Sequence, residues 1–568
     1  MKNKKIVIIA ILFLVIFALT SCDREREGEK ENVGKTQLYI GTFEGGYGEE
    51  WLYAAKERFE EKYKDVSFEE GKVGVQVMIT SSRQFVGQNL STTVKDLVQE
   101  IFFTEALYYY DFVNNDLMLD ISDVVTENLN YDFVKKEFGA GEEKSIEDKM
   151  LDPHIDFYKT NEDKYFAIPF YQAFYGIIYD VDLFEEENLY FAAEGYGNSY
   201  GFVRSSTDPK SPGPDGLIET EEDNGLPATY EDFFILLDYM YKKNLEPITW
   251  GGKVQSYVSH IVRNLWADYE GFEQMSLSYN FDGLATNLIK DFDDDGNPIL
   301  YSQEINSDNG HLIYSKQAGR YYALSFLEQL INNKNFYKES LTFSPSQSHK
   351  AAQDYFLQSK FSQNRKRVGM IMDGIWWMHE AGPTFQAIEK NYGSDGSAQN
   401  RKFGILPLPK VDENHLGKQT FLETNFSVGF INANVPEWKQ PLAKAFLQFV
   451  HTDESLKEFT KITNTFKPYD YKLNEEELNE LTYYGRALYN IHQNAEFVSP
   501  LTKNPMYLKN VSTFVGVDQI FNTEIMSGGR SKRYNYPSNA MFDEKITAKD
   551  YFLGYDNYWT KSLWDYLK

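Results

Sequence analysis

The distribution of apolar residues constrains this chain more than any other feature of its sequence. The longest unbroken apolar run, Ile6–Leu19, has 14 residues and lies at the amino terminus. A helix needs about 20 apolar residues to cross a bilayer, so this run is too short to span one. The rest of the 568-residue chain carries its apolar residues in short stretches, and 42% of all residues are hydrophobic. Such a chain can build sizeable cores, and at roughly 100–200 residues per domain it should form two or more lobes.

Composition excludes several classes of protein. The chain has 57 basic and 85 acidic residues, for a net charge of −28, so it lacks the basic surface that nucleic acids require. Its single cysteine excludes an intrachain disulfide framework and a thiolate zinc cluster. No two histidines are spaced as in a zinc-protease motif. The spacing G-x-S-x-G occurs once, at Gly197–Gly201, and it indicates a nucleophile only where it joins a strand to a helix. The turn Gly45–Gly48 lacks the spacing of a dinucleotide-binding loop. We therefore predict a protein that is not an enzyme.

The amino terminus is typical of an exported protein. Three lysines precede the apolar run, which ends in Leu19-Thr20-Ser21-Cys22. This ending resembles the bacterial lipobox, and the resemblance implies that residues 1–21 are a lipoprotein signal peptide and that Cys22 is lipidated. Residues 22–35 are rich in charge and predict a solvated tether. The expected location is the extracellular face of the cell membrane, with the lipid as the membrane contact.

The body of the chain begins with a β-α-β pattern. Alternating or apolar segments predict strands at Gln37–Ile40, Val73–Ile79 and Leu97–Phe103, with a helix over Glu49–Tyr63. The pattern returns in strand-like segments at Tyr175–Tyr179, Arg367–Met372 and Phe426–Ile431, and in a helix that begins at Thr229. Alternation of this kind indicates a parallel or mixed sheet covered by helices, with ligands bound where loops leave the strand ends.

Four stretches, in a fixed order, carry a more specific resemblance. They are Lys164–Pro169 followed by Tyr175–Phe184, then Asp223–Phe233, Gly369–Trp377 and Phe403–Pro409. Together they resemble the carbohydrate-binding extracellular solute-binding proteins of bacterial ABC transporters, the family that includes maltose-binding protein. Asp180 departs from that pattern, because the family has asparagine at the equivalent point of the first stretch.

The resemblance implies an α/β, two-lobe periplasmic-binding-protein-like (type II) fold with discontinuous lobes and a ligand cleft between them. Lobe I would comprise 36–170 and 406–452, and lobe II 171–405 and 453–568. The implied function is capture of a carbohydrate, with an oligosaccharide as the expected ligand, and its delivery to an ABC permease after hinge closure. A surface glycosidase or lyase, and a binding protein for a non-sugar ligand such as a peptide, are the alternatives.

Candidate ligand-binding residues follow predicted strand ends or lie at the first crossover between lobes. Sugars stack on aromatic rings while polar side chains satisfy their hydroxyl groups. The candidates are Phe43, Glu44, Tyr47, Glu105, Tyr109, Tyr171, Gln172, Trp250, Asp373, Trp376 and Trp377. The two adjacent tryptophans occupy the position of the family's stacking tryptophan. Because neighbouring side chains diverge, we expect one to face the cleft, and we prefer Trp376; a buried tryptophan pair is the alternative.

One acidic segment matches part of a calcium-binding loop. Asp291, Asp293 and Asp295 stand at positions 1, 3 and 5, and Gly296 stands at position 6. Position 12, which should be glutamate, is Ser302. Structural calcium is the one cofactor that the sequence suggests, and a solvated acidic turn is the alternative.

Overall fold

The computed structural model describes residues 29–568, except 44, 106–107, 218–223, 334–335, 337–339, 341–347, 425 and 528. The predicted signal peptide, 1–21, and Cys22 lie outside the described residues. In the part of the chain that is described, no helix is both long enough and apolar enough to cross a membrane.

The described strands belong to two four-stranded sheets and four small two-stranded ones. They are β1 Thr36–Thr42, β2 Val75–Ser81, β3 Ile101–Glu105, β4 Tyr131–Asp132, β5 Glu137–Phe138, β6 Tyr175–Asp180, β7 Glu246–Thr249, β8 Gly283–Phe292, β9 Pro298–Ile305, β10 Val368–Gly374, β11 Phe403–Leu406, β12 Thr420–Leu422, β13 Ser427–Ile431, β14 Glu496–Val498, β15 Thr523–Ser527 and β16 Arg530–Tyr534.

The α-helices cover the faces of these sheets and form most of the carboxyl-terminal part of the chain. They are α1 Glu50–Lys62, α2 Gly87–Thr93, α3 Tyr109–Asn114, α4 Ser122–Thr126, α5 Ile146–Lys149, α6 Asp152–Tyr158, α7 Val181–Glu187, α8 Tyr230–Lys242, α9 Ser256–Asn280, α10 His311–Lys316, α11 Ala318–Asn332, α12 His349–Ser359, α13 Trp377–Glu380, α14 Gly382–Tyr392, α15 Gln440–Phe449, α16 Asp453–Thr463, α17 Glu475–Glu480, α18 Tyr483–Asn494, α19 Pro505–Lys509, α20 Val511–Val515, α21 Val517–Ile520, α22 Pro537–Glu544, α23 Ala548–Leu553, α24 Tyr555–Tyr558 and α25 Lys561–Leu567.

The first large sheet is the centre of lobe I and has the strand order β13-β3-β1-β2. Strand β1 runs parallel to β2 and β3, while β13 is antiparallel to β3 and pairs Ser427 with Glu105. The strands are buried over most of their length, as expected for a sheet covered on both faces. The predicted third strand begins at Ile101 rather than at Leu97, because residues 94–96 form a turn of 3-10 helix.

The second large sheet is the centre of lobe II and has the order β11-β6-β10-β7. Strand β6 is antiparallel to β10 and β11, and β10 is parallel to β7. The helix predicted to begin at Thr229 is confirmed as α8: the Thr229 hydroxyl accepts the backbone N–H of Asp232, and the Asp232 carboxylate accepts the N–H of Thr229. Such a reciprocal cap satisfies backbone donors that a helix start leaves free.

The chain passes between the lobes along neighbouring segments, and one of them differs from the prediction. The first crossover is 169–174, close to the predicted boundary at 170. The stretch Phe403–Pro409, predicted as the return crossover, begins with an edge strand of the second sheet instead, because β11 pairs with β6. The chain stays in lobe II through β12, where the Leu422 N–H donates to Asn264, and it returns at 423–426.

Helix α16, predicted in lobe II, lies in lobe I. Arg58 of α1 donates to Ser455 at 2.9 Å and forms an ion pair with Glu458, and both residues belong to α16. From these contacts we assign the described residues of 36–168 and 427–480 to lobe I, and those of 175–422 and 483–568 to lobe II.

Part of the predicted tether is attached to lobe I. Gln76 of β2 accepts the Asn32 N–H at 2.7 Å and donates to Glu29 at 3.1 Å, and Glu29 also forms an ion pair with Lys56. Residues 29–35 thus carry hydrogen bonds to the sheet, although charge alone predicted only solvation.

Candidate functional site

The predicted site residues belong to two sheet edges that face each other across the crossovers. On lobe I this edge contains the ends of β1 and β3 and the start of β13, where Glu105 pairs with Ser427. On lobe II it contains the end of β10 and the start of β6, where Gly374 pairs with Tyr175. The crossovers are hydrogen-bonded to their neighbours, since the Thr424 N–H donates to the Ala173 carbonyl at 2.8 Å.

Four aromatic residues from both lobes meet at one end of this cleft; we call them the aromatic cluster, Tyr47, Tyr171, Tyr175 and Trp376. The Tyr47 ring lies 4.3 Å from Tyr171 and 5.9 Å from Trp376, measured between centroids. Tyr175 meets Trp376 edge-on at 5.1 Å. The structure thus brings three predicted residues together with Tyr175, which was not predicted.

The lobes touch closely at this cluster because two residues of the first βα turn have no side chain. A Cβ atom on Gly46 would lie 2.0 Å from Cδ1 of Trp376, and one on Gly48 would lie 1.9 Å from Nε2 of His379. The His379 ring also lies 3.2 Å from the Glu50 carboxylate of the other lobe, and this hydrogen bond lowers the pKa of Glu50 to about 2. The lobes are therefore closed at this end of the cleft.

Two predicted carboxylates are enclosed near the cluster. Glu105 accepts a hydrogen bond from the Tyr171 hydroxyl, and burial raises its pKa from 4.5 to about 7. Asp373 is 1% exposed and accepts hydrogen bonds from the Gln353 amide at 3.0 Å and the Gly374 N–H at 2.7 Å. Burial raises the pKa of Asp373 to about 7 as well. Closure therefore favours the protonated form of both groups.

A pH-dependent stability follows from Glu105. Its pKa is higher in the folded protein than in the unfolded chain, so its contribution to stability is present below about pH 4.5 and is lost as the pH rises to about 7. Between about pH 5 and pH 8, the unfolding free energy of the wild type should fall by about 2–3 kcal/mol more than that of Glu105→Gln. Urea denaturation at both pH values measures the unfolding free energies. The prediction is contradicted if the variant and the wild type lose the same unfolding free energy between the two pH values. Glu389→Gln, on the exposed face of α14, is the matched control.

Several candidates lie outside the cluster. Trp377 is 0% exposed and packs in lobe II against Phe403 at 5.1 Å, so the two adjacent tryptophans do diverge. Trp250, also 0% exposed, lies in the core of lobe II. Tyr109 is buried in lobe I, where its hydroxyl donates to the Tyr158 carbonyl at 3.1 Å. Trp250 and Tyr109 were predicted as ligand contacts; both side chains are buried here, and their contact with a ligand stays a prediction.

The first βα turn contains two further candidates. Phe43 is partly buried and packs against the main core. Glu44 lies outside the described residues. Only Tyr47 of this turn therefore has a described contact with the other lobe's site residues.

Gln172, the remaining candidate, points away from the cluster into a polar network. Its amide donates to Glu423, which follows β12 at the second crossover. Glu423 also lies 3.2 Å from His154 and accepts the Ser499 hydroxyl at 2.5 Å. Consecutive residues of the first crossover thus serve two places: Tyr171 contacts the aromatic cluster and Gln172 the Glu423 network.

The Glu423 network borders an open cavity of about 1060 Å³ between the lobes, which we call the inter-lobe groove. Lobe I supplies α6, and lobe II supplies residues 270–280 of α9 and the segment 495–502. Another cavity, of about 570 Å³, is lined by residues of lobe II alone. The groove is the better ligand site, because closure of a two-lobe protein acts on a ligand held by both lobes.

The acidic segment suggested for calcium is the turn of a β-hairpin. Strand β8 ends before this turn and β9 begins after it. Within the turn, the Asp293 carboxylate accepts the Asn297 N–H at 2.7 Å. Among the described residues, no three histidine, cysteine or acidic side chains are grouped as metal ligands. Turn formation accounts for this sequence, and calcium binding stays a prediction without structural support.

Sequence reasoning missed the residues that form the groove. Glu423, His154 and Ser499 are separated by up to 345 positions along the chain, so no local motif joins them. Tyr175 is the first residue of the family-like stretch Tyr175–Phe184 and of β6. Its position at the start of a strand could have indicated a place at the cleft.

Solved structures with the same fold cover almost the whole chain. The apo form of RafE from Streptococcus pneumoniae matches over 94% of this chain and 100% of that chain, with a TM-score of 0.51 and 13% identity. The chain has the two-lobe fold of type II solute-binding proteins. A chitin oligosaccharide binding protein gives a TM-score of 0.52 and 11% identity, over 94% of this chain and 99% of its own. SBP RafE in complex with raffinose gives 0.50 and 12%, over 92% and 100%. No family model and no curated protein matches the sequence.

Proposed function

We propose that this protein is the carbohydrate receptor of an ABC transporter, which captures an oligosaccharide between its lobes and delivers it to the permease without chemical change. Two observations at the boundary between the lobes carry the proposal: aromatic rings from both lobes meet at one end of the cleft, and a groove between the lobes is lined with hydrogen-bonding groups. Flat rings and polar side chains together suit a sugar, which presents C–H faces and hydroxyl groups.

Two further observations support an oligosaccharide as the ligand. The groove, at about 1060 Å³, is at the upper end of the usual range for ligand sites, roughly 300–1,000 Å³. Proteins with the same fold include one described as binding chitin oligosaccharide and one in complex with raffinose.

Lipid anchoring through Cys22 at the extracellular face of the membrane is part of the same proposal, and its support is the lipobox-like sequence. A diacyl group supplies the two chains that stable anchoring requires. Incorporation of labelled palmitate that is lost in Cys22→Ala would test this part, and incorporation that persists would contradict it.

The function is tested by calorimetric titration of the purified protein with raffinose, maltotriose and N-acetylated chitotriose. We expect at least one to bind and to be recovered unchanged after prolonged incubation. We expect Trp376→Ala to weaken that binding by about 1–3 kcal/mol, roughly 5- to 150-fold, as for other buried aromatic anchors.

The matched control is Trp438→Ala, because Trp438 is 53% exposed. Cleavage of the sugar would favour the enzyme alternative. Normal affinity in Trp376→Ala would show that this ring does not stack on the ligand, and failure of every saccharide to bind would count against the receptor itself.

A further inference from the structure

The walls of the inter-lobe groove carry acidic side chains on both lobes. On lobe I, Asp152 and Asp156 are one turn apart on α6 and are exposed. On lobe II, α9 is interrupted at Gly271, whose φ is 69° and ψ is 177°, and Glu270 and Glu273 lie on either side of this break. The helix break therefore places two carboxylates along the wall opposite α6.

The groove has little compensating positive charge. Among the residues that the structure describes, six carboxylates and no lysine or arginine line it. They are Asp152, Asp156, Glu270, Glu273, Glu423 and Glu496. Within the described ranges, one of these carboxylates forms an ion pair, Glu496 with Lys418 at 3.6 Å, and Glu423 lies 3.2 Å from the His154 ring. Burial raises the pKa of Glu270 to about 8, which leaves the other acidic groups as the source of charge.

A second observation marks the groove as incomplete without a ligand. His154 lines the groove and is only 5% exposed, and its Nδ1 atom has no hydrogen-bond partner among the described residues. The Oε1 atom of the neighbouring Gln172 likewise lacks one within the described structure. Buried polar atoms without partners cost free energy, which a polar ligand would recover.

We propose that the groove selects saccharides that carry a protonated amine, and that it rejects acidic saccharides. An ammonium group would lie between the Asp152–Asp156 face and Glu273, while a sugar hydroxyl group completes the hydrogen bonds of the His154 side chain in the groove wall. The carboxylates attract a cationic sugar and repel a carboxylate ligand, with the modest strength expected of exposed charges. This inference rests on the proposed function and names the class of sugar.

The test compares three trimers of equal length by calorimetry at about pH 6, where an amine of pKa about 7.7 is protonated: tri-glucosamine, N-acetylated chitotriose and trigalacturonate. We expect tri-glucosamine to bind about 10-fold tighter than the N-acetylated trimer. Added salt should reduce this advantage, because it screens charge. Trigalacturonate should not bind.

Glu273→Gln separates charge from fold, because Glu273 is exposed. We expect it to weaken tri-glucosamine binding about 2- to 5-fold more than it weakens binding of the N-acetylated trimer. Glu389→Gln, which is exposed on α14 away from the groove, should change neither affinity. Melting temperatures of both variants show whether the fold is intact.

The outcomes distinguish this inference from the proposed function. Equal affinity for the two chitotriose forms, or binding of trigalacturonate, would overturn the amine selectivity while the receptor function stands. No binding of any trimer or of the neutral sugars used above would overturn both.

Discussion

Replacement of Trp377 by alanine is expected to lower the free energy of unfolding by about 3–5 kcal/mol. The Trp377 ring is 0% exposed, with the rings of Phe356 at 5.7 Å, Phe403 at 5.1 Å and Tyr484 at 5.7 Å. These neighbours come from α12, β11 and α18, so truncation leaves a cavity where three elements meet. The shift of the urea unfolding transition measures the loss.

Trp376→Ala is the matched comparison for this prediction. Trp376 lies at the contact between lobes, and a small opening of the lobes can fill the space that its ring leaves. We therefore expect Trp376→Ala to cost less than half as much stability as Trp377→Ala. The reverse order would contradict the placement of the two side chains.

The second large effect is expected for Asp180→Asn, which should lower the unfolding free energy by about 3 kcal/mol. Asp180 and Arg401 are each 2% exposed, and their side chains are 2.9 Å apart; Arg367 also donates to Asp180, at 3.0 Å. Removing one partner of a buried ion pair leaves an uncompensated charge and costs about 3–5 kcal/mol. We expect the lower value because Asp182 also pairs with Arg401, at 3.0 Å.

Asparagine makes this a test of charge alone. The Asp180 side chain caps α7 by accepting the Leu183 N–H, and asparagine caps helices about as well. Asp308→Asn is the control, since it removes an exposed ion pair with Lys568 and should change stability little. A similar small effect for both variants would show that the arginines are satisfied without Asp180. The two arginines also explain why the chain has aspartate where the resembled family has asparagine.

The fold was predictable because its strands and helices have clear local patterns. Apolar runs gave β1, β6, β10 and β13 to within a few residues, and a threonine with acidic residues just after it gave the start of α8. The return crossover was misplaced because Phe403–Pro409 is apolar and extended whether it pairs with β6 or passes between lobes. Only the non-local pairing decides between these, and sequence does not show it.

The site was less predictable, since an aromatic residue at a strand end can face either the cleft or its own core. Tyr47 and Trp376 contact each other across the lobes, whereas Trp250 and Tyr109 are buried. The groove is harder still, because Asp156 and Glu273 are separated by more than a hundred residues and share only a place in the tertiary structure.

Hydrogen bonds between the crossovers affect how the two lobes can move. The Gln172 N–H donates to the Phe466 carbonyl at 3.0 Å, and the Thr424 N–H donates to the Ala173 carbonyl. The first crossover is therefore hydrogen-bonded to the second crossover and to the segment that contains Phe466. Segments that are hydrogen-bonded to one another in this way should move together when the lobes rotate. Tyr171 and Gln172 are successive residues of the first crossover, one in contact with the aromatic cluster and the other with the Glu423 network. Ligand binding in the groove would therefore also move the crossover residues that contact the aromatic cluster. The fluorescence of Trp376 would change as a result and would report ligand binding.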